Sequence, residues 1–172
     1  FGDIWRWKDI LATNTSIEAV YAGLYNVINR CNFMLDRVDR VRNNTTDDKD
    51  LYKLDQCCGE AYFARAIAYS ELVKMFCKAY ESDEDAANQL GVILTKHYQG
   101  NEEMKRASLK ASYEFILEDL DRAAQLLALD KDYDPSVDGA LFNNATYFNE
   151  YTVYALRARV ALYMRKWDEA IK

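Results

Sequence analysis

The sequence predicts an all-α fold made of antiparallel helical hairpins, similar to tetratricopeptide repeats and incomplete at the C-terminus. The 172 residues contain one Pro and six Gly, so few positions break a helix. Half of the residues are hydrophobic, which is enough for a buried core in a chain of this length. Apolar residues recur at alternating steps of three and four, which is the period of one helix face. These observations favour long helices over a turn-rich β-sandwich.

The first predicted helix covers residues 16–41, where one apolar stripe continues over its whole length. Thr15 and Glu18 have the spacing of a capping box, in which both side chains bond backbone N–H groups of the first turn. Polar residues at 43–46 end the pattern, because Asn and Thr side chains compete with the helical backbone bonds. The connection is short enough for the next helix to return antiparallel.

The second predicted helix covers residues 50–79 and has a broad apolar face with several alanines, which permit close helix packing. Residues 81–107 lack a helical period and are expected to be the longest irregular piece. A third helix is predicted over 108–129, with Ser108 as its N-cap. The remaining predicted helices are 146–164 and 166–172.

The last part of the chain has the spacing of a known helical repeat. Ala158, Trp167 and Ala170 are separated by nine and three residues, as are the small, aromatic and small positions of a tetratricopeptide repeat across its turn. If the second helix of this repeat ended at Lys172, it would lack the later hydrophobic residues that pack against the first helix. We therefore expect residues 1–172 to form a single N-terminal, tetratricopeptide-like part of a longer protein.

Composition and charge limit the partners that the chain can have. The formal net charge is −6 and the sequence has no Lys/Arg-rich run, so nucleic acid is not an expected partner. No apolar run reaches the roughly 18 residues that a membrane-spanning helix needs. The chain begins at Phe1 without a leader-like segment, so any targeting signal is expected to be removed or to lie outside this numbering. The cysteines are expected to be buried thiols rather than disulfide partners or zinc ligands: Cys31, Cys57, Cys58 and Cys77.

Four blocks of sequence within residues 17–171 have a distinctive order and spacing. The most specific block is residues 59–69, which read Gly-Glu-Ala-Tyr-Phe-Ala-Arg-Ala-Ile-Ala-Tyr. The other three lie within residues 21–35, 91–123 and 151–170. Together the four blocks resemble the SusD/RagB family, the outer-membrane nutrient-binding lipoproteins of Bacteroidetes.

The resemblance implies a helical scaffold without enzymatic activity, held at the cell surface of the outer membrane by an N-terminal lipid outside this segment. It also implies binding of an oligosaccharide or peptide nutrient and its transfer to a TonB-dependent, SusC-like transporter. In this family the helical part is mainly scaffold and transporter contact. Two positions depart from the family pattern, because Cys77 replaces the usual Gly and Ile93 replaces a frequent Pro. From composition and periodicity alone, a generic helical-repeat adaptor for protein partners is an equal alternative.

The sequence contains few candidates for a functional site. His97 is the single histidine and has no Ser or Cys motif around it, so no catalytic set, cofactor or metal site is predicted. Trp5 and Trp7 are the candidate ligand-binding residues, since the face of an indole can stack on the C–H side of a sugar ring. Their alternative role is to pack an N-terminal arm against the helices. The acidic loop 130–139 spaces oxygen donors as a calcium loop would, but Pro135 and Leu141 stand where a calcium-binding EF-hand needs Gly and Glu, so a surface loop is expected there.

Three further interpretations concern charged and aromatic residues within the helices. Glu60 and Arg65 lie in an Ala-rich helix and are expected to form a buried ion pair or a cap interaction. Four acidic side chains of the third helix are expected to form a solvated face: Glu114, Glu118, Asp119 and Asp121. Tyrosines at helical spacing are expected to pack in the core and between helices, and any that is exposed is a candidate protein contact: Tyr21, Tyr25, Tyr62, Tyr69, Tyr113, Tyr151 and Tyr154.

Overall fold

The computed structural model describes residues 14–100, 104–128 and 148–171. Helices dominate these residues, which confirms the all-α fold class, and a two-stranded sheet is a minor addition. None of the described helices combines the length and the apolar character needed to cross a bilayer. The elements in chain order are α1 (Thr15–Leu35), α2 (Val38–Arg42), α3 (Asp48–Phe76), α4 (Asp83–Asn88), β1 (Leu90–Ile93), β2 (Arg106–Ser108), α5 (Leu109–Leu126), α6 (Glu150–Tyr163) and α7 (Trp167–Ile171).

Helix α3 lies at the centre of the structure and packs on both α5 and α1. It contributes the fully buried side chains of Tyr69 and Leu72, together with the small side chains of Ala66 and Ala68. The alanines bring the neighbouring helices close, as small residues at a helix interface do. Helix α6 packs on α5 in turn. Large side chains with almost no exposed surface complete one core: Ile28, Leu109, Ile116, Leu120, Leu127, Val153 and Val160.

The first predicted helix, residues 16–41, is interrupted at Asp36 and Arg37 in the structure. The break lies where the Asp36 carboxylate bonds to a segment far along the chain. Its oxygens accept a bond from the Tyr98 backbone N–H at 2.7 Å and lie 2.8 Å from Nδ1 of His97. The apolar stripe continues across the break, so the hydrophobic period alone did not reveal it.

The N-cap of α1 is Asn14, one residue before the predicted cap. The Asn14 side-chain oxygen accepts bonds from the backbone N–H groups of Ser16 and Ile17, at 3.1 and 3.2 Å. The predicted capping box of Thr15 and Glu18 is therefore wrong. Asn ranks above Thr as an N-cap residue, which agrees with the observed choice.

Residues 81–107 are more regular than the sequence predicts, because they contain α4, β1 and the first two residues of β2. The strands pair antiparallel, with Leu90 opposite Ser108 and a bulge farther along. With four and three residues, they are too short to show the period of two that identifies a strand. Ser108 also caps α5 as predicted, since its hydroxyl accepts a bond from the Ala111 N–H at 3.1 Å.

Other helix ends also differ from the predicted ones, and the helix predicted over 108–129 ends at Leu126. The predicted helix 50–79 stops before Cys77, whose φ of −120° is extended backbone that any residue adopts. The residue that replaces the family's usual Gly is therefore unstrained. The predicted helix 146–164 begins only after Asn149, which forms a reciprocal capping box with Thr152.

The α6–α7 hairpin has an exposed aromatic face. Tyr151, Tyr154 and Trp167 are 65%, 52% and 58% exposed. The prediction that Tyr151 and Tyr154 pack in the core is wrong, because Val153 and Leu156 take the buried positions of α6. The other predicted tyrosines are buried or half-buried, as expected: Tyr21, Tyr25, Tyr62, Tyr69 and Tyr113.

Candidate functional site

The main candidates of the sequence analysis lie outside the described residues. These are Trp5, Trp7 and the acidic loop 130–139. His97 is described and exposed, and its Nδ1 lies 2.8 Å from the carboxylate of Asp36. Within 14–100, 104–128 and 148–171, no three His, Cys, Asp or Glu side chains lie close enough to hold a metal ion. The structure instead brings together a buried polar cluster and an open cleft.

The buried polar cluster consists of Asn32, Arg65 and Asp119 and joins α1, α3 and α5. Arg65 donates from Nε and Nη2 to the two carboxylate oxygens of Asp119, at 2.8 and 2.7 Å. Its Nη1 donates to Oδ1 of Asn32 at 2.6 Å. Burial alone would lower the pKa of Arg65, but the bonds and charge of Asp119 outweigh burial and raise that pKa. The guanidinium therefore keeps its charge inside the core.

This pair corrects the predictions for two acidic residues. Asp119 is only 2% exposed, so its placement on a solvated face is wrong. Arg65 forms the expected buried ion pair, but its partner is Asp119 and not Glu60. Glu60 is half-buried, and burial raises the pKa of its carboxyl. The sequence did contain a signal, because Asp119 follows Ile116 by three residues and precedes Ala123 by four, on the apolar stripe of α5.

Side chains of α1 and α3 hold the extended segment that begins with β1. The Tyr25 hydroxyl donates to the Ile93 carbonyl at 2.9 Å and accepts from the Ile93 N–H at 3.1 Å. The Tyr69 hydroxyl accepts from the Thr95 N–H at 2.9 Å, and Nδ2 of Asn32 donates to the Thr95 carbonyl at 3.0 Å. These side chains bond backbone N–H and C=O groups of the segment that a neighbouring strand would otherwise bond.

The buried polar cluster is saturated by its own partners. Every buried side-chain nitrogen and oxygen atom in the described part of the chain has a hydrogen-bond partner. A ligand would have to displace a bond within the core to reach it, at the full cost of unpairing a buried group. The cluster therefore supports the fold, whereas a cleft formed by other described residues is open to a ligand.

The scaffold cleft is an opening of about 310 Å³ between α1, α2, α3 and α5. Its polar lining comes from Asp39, Arg42, Asp55, Arg122 and Gln125. The Arg42 guanidinium donates to the Asp55 carboxylate, and this bond holds the pKa of Arg42 above its usual value. The less polar part of the lining is Leu35, Val38, Cys58, Tyr62 and Leu126.

Small-molecule sites usually combine a mostly apolar lining with a few polar groups, and the lining of this cleft combines both kinds with a larger polar share. No sequence motif predicted the scaffold cleft, because its residues come from four helices and none has a catalytic spacing. The signal that the sequence does contain is indirect. Arg42 and Arg122 are charged residues, and each lies beside the apolar stripe of its helix. The helices concerned pack against their neighbours through these stripes.

The four cysteines differ in exposure, which corrects the expectation that all are buried. Cys31 and Cys58 are buried, Cys77 is half-buried and Cys57 is exposed, and all four are free thiols. Burial raises the pKa of Cys58 to about 11. Burial also raises the pKa of the Cys57 thiol above its usual value. Adjacent positions on α3 thus differ in access, since their side chains point in different directions.

We expect iodoacetamide to label Cys57 before Cys58 in the folded full-length protein. The thiolate is the reactive form, and a raised pKa means that little of it is present at neutral pH. Labelling of Cys57 should therefore accelerate as the pH rises from about 7 to about 9.5. Mass spectrometry of the Cys57→Ser and Cys58→Ser variants separates the two thiols. Equal rates, or faster labelling of Cys58, would contradict the difference in access.

The family of the chain follows from a comparison with known families. A family model described as "Starch-binding associating with outer membrane" matches residues 2–162. The match therefore covers most of the 172 residues. The chain belongs to the SusD-like family. The resemblance of the four sequence blocks to SusD/RagB proteins is thereby confirmed.

Solved structures of other SusD-like proteins have a similar fold. A SusD superfamily protein from Bacteroides fragilis is 25% identical, with a TM-score of 0.66 over 88% of this chain and 32% of that chain. A SusD-like carbohydrate binding protein from Bacteroides vulgatus is 22% identical, with a TM-score of 0.66 over 88% and 29%. A laminarin binding SusD-like protein is 22% identical, with a TM-score of 0.63 over 88% and 28%.

This SusD-like chain thus spans about three-tenths of the length of those structures. No curated protein matches it. Three of its four family-like blocks supply the buried polar cluster, since Asn32, Arg65 and Asp119 come from one block each. In this SusD-like chain the most specific sequence block therefore has a structural role.

Proposed function

We propose that this SusD-like chain is the helical scaffold of a non-catalytic protein that binds carbohydrate at the outer membrane. The match of residues 2–162 to a family described as starch-binding and associating with the outer membrane carries the proposal. The carbohydrate- and laminarin-binding descriptions of two structural neighbours support a glycan ligand over a peptide. The family match also favours this function over a generic adaptor.

In this proposal the whole protein is a surface-exposed lipoprotein, held by an N-terminal lipid, that captures an oligosaccharide and hands it to a TonB-dependent, SusC-like transporter. The described residues contribute rigidity. The Arg65–Asp119 pair and the tyrosine bonds to residues 93–95 fix α1, α3 and α5 against one another. Such a frame can present a binding surface without paying a large ordering cost when the ligand arrives.

Affinity electrophoresis of the full-length protein tests the glycan part of this proposal. We expect migration to be retarded in gels that contain starch or laminarin, and the polysaccharide recovered afterwards to have an unchanged chain length. Serum albumin in the same gels controls for non-specific retardation. Normal migration in both polysaccharides, or release of shorter oligosaccharides, would overturn the proposal of non-catalytic binding to this class of glycan.

Affinity purification of the full-length protein from detergent-solubilised outer membranes tests the transfer step. We expect a TonB-dependent transporter to be recovered with it and to be identified by peptide sequencing. A matched purification of an unrelated outer-membrane lipoprotein serves as the control. Recovery of no such transporter above this control would contradict the hand-off, whatever the result with polysaccharide.

A further inference from the structure

We propose that the scaffold cleft is itself a saccharide subsite that takes one or two sugar units of a neutral glycan. The inference rests on the proposed function and deepens it, because it assigns a ligand contact to the helical scaffold. It is carried by the shape of the cleft, the arrangement of its polar and apolar groups, and its balance of charge.

The size of the scaffold cleft and the apolar side chains in its lining suit a sugar ring. Its volume of about 310 Å³ is at the lower end of the range for small-molecule sites, about 300–1,000 Å³. Leu35, Val38 and Leu126 give it apolar surface, on which the C–H face of a sugar ring can pack. Tyr62 adds an aromatic ring, and the buried Arg65 guanidinium lies 5.4 Å from the centroid of that ring. Tyr62 is thus held by a fixed group of the core.

The polar groups of the cleft match the vicinal hydroxyls of a sugar. Arg42 bonds to Asp55 between α2 and α3, so a donor and an acceptor lie side by side. A guanidinium has five N–H donors and a carboxylate has about four acceptor positions, so this pair has capacity beyond its own bond. Arg122 and Gln125, both exposed, add donors from α5.

The charges of the scaffold cleft indicate a neutral ligand. Two guanidiniums, Arg42 and Arg122, are balanced by two carboxylates, Asp39 and Asp55. An anionic sugar would be attracted by the two arginines and repelled by the two carboxylates, and this equal number of opposite charges gives it no advantage over a neutral sugar. A neutral glycan carries no net charge, so the balance of charges does not weaken its binding. The same groups lie on helices, which hold them more accurately than loops do.

Hydroxyl-radical footprinting of the full-length protein, with maltotriose and laminaritriose as probes, locates the contact. We expect either sugar to lower the oxidation of Tyr62. Tyr151 is the internal control, because it is 65% exposed on α6 and does not line the cleft. Unchanged oxidation of Tyr62, in a protein that still binds starch or laminarin in gels, would overturn this subsite and leave the proposed function standing. Failure to bind either polysaccharide would overturn both.

A pair of variants on α5 tests the role of the polar rim. The double variant Arg122→Ala/Gln125→Ala removes two exposed donors of the cleft. We expect its affinity for the trisaccharide to fall by about tenfold or more, as for loss of a hydrogen bond to a charged group. Lys110→Ala/Glu114→Ala removes an exposed ion pair of the same helix outside the cleft and should bind as the parent does. Equal affinity in both variants, or tighter binding of trigalacturonate than of neutral sugar, would contradict the proposal.

Discussion

Replacing Asp119 with Ala is expected to destabilise the full-length protein by about 3–5 kcal/mol, because it leaves the buried charge of Arg65 without its partner. Both side chains are nearly inaccessible to water, at 7% and 4% exposure, so solvent cannot replace the lost carboxylate. Among the described residues that bond to the guanidinium, only Asn32 then remains as an acceptor. The loss should be seen as a lower midpoint in urea unfolding followed by circular dichroism.

Asp121→Ala on the same helix is the matched control. Asp121 pairs with Arg157 at the surface, where both side chains are about half exposed, and such pairs contribute at most about 1 kcal/mol. The double variant Arg65→Met/Asp119→Leu removes both charges together and should recover much of the loss. If Asp119→Ala and Asp121→Ala unfold at the same urea concentration, the buried pair does not stabilise this fold.

The hydrophobic period predicted the long helices α1, α3 and α5 close to where they lie, because each buries one continuous apolar stripe. It failed where a bond to a distant part of the chain decides the backbone. The first helix breaks at Asp36, whose carboxylate accepts a bond from the Tyr98 N–H, and Leu90 pairs with Ser108, which lies far along the chain. Neither contact leaves a periodic pattern in the sequence.

The candidate site was harder to predict than the fold. Trp5 and Trp7 are candidates because an indole face can stack on a sugar ring, and they stay predictions because they lie outside the described residues. The scaffold cleft combines side chains from Leu35 to Leu126, so only the packing of four helices brings them together. A single sequence records which side chains are polar, but it does not record which of them face a common opening.

The family resemblance predicted more than periodicity because its blocks coincide with tertiary contacts. Asn32, Arg65 and Asp119 are ordinary residues in their own helices, yet the structure joins them in one buried polar cluster. Gly59 begins the most specific block, and a Cβ atom there would lie 2.7 Å from Cγ of Leu127 at the end of α5. The block therefore encodes the close approach of α3 and α5.

Replacing Gly91 with Ala is expected to destabilise the full-length protein by about 3 kcal/mol or more, at or beyond the top of the usual cost of overpacking. A Cβ atom at Gly91 would lie 2.1 Å from Oγ of Ser112 and 2.5 Å from the backbone oxygen of Ser108. Neither neighbour is free to withdraw. The Ser112 hydroxyl donates to that same oxygen and accepts from the Val92 N–H, while Ser108 pairs with Leu90 and caps α5.

Glycine-to-alanine variants at three sites separate this steric cost from the general effect of a methyl group. At Gly23, an exposed position of α1, no atom of the described residues lies within 4 Å of the added carbon, so Ala should stabilise by about 0.5–1 kcal/mol. At Gly59 the carbon meets the Leu127 side chain, which can shift, so the loss should be about 1–2 kcal/mol. From the highest urea midpoint to the lowest, the expected order is therefore Gly23→Ala, parent, Gly59→Ala and Gly91→Ala. If Gly91→Ala unfolds with the parent, the β1 segment does not lie against Ser108 and Ser112 as described.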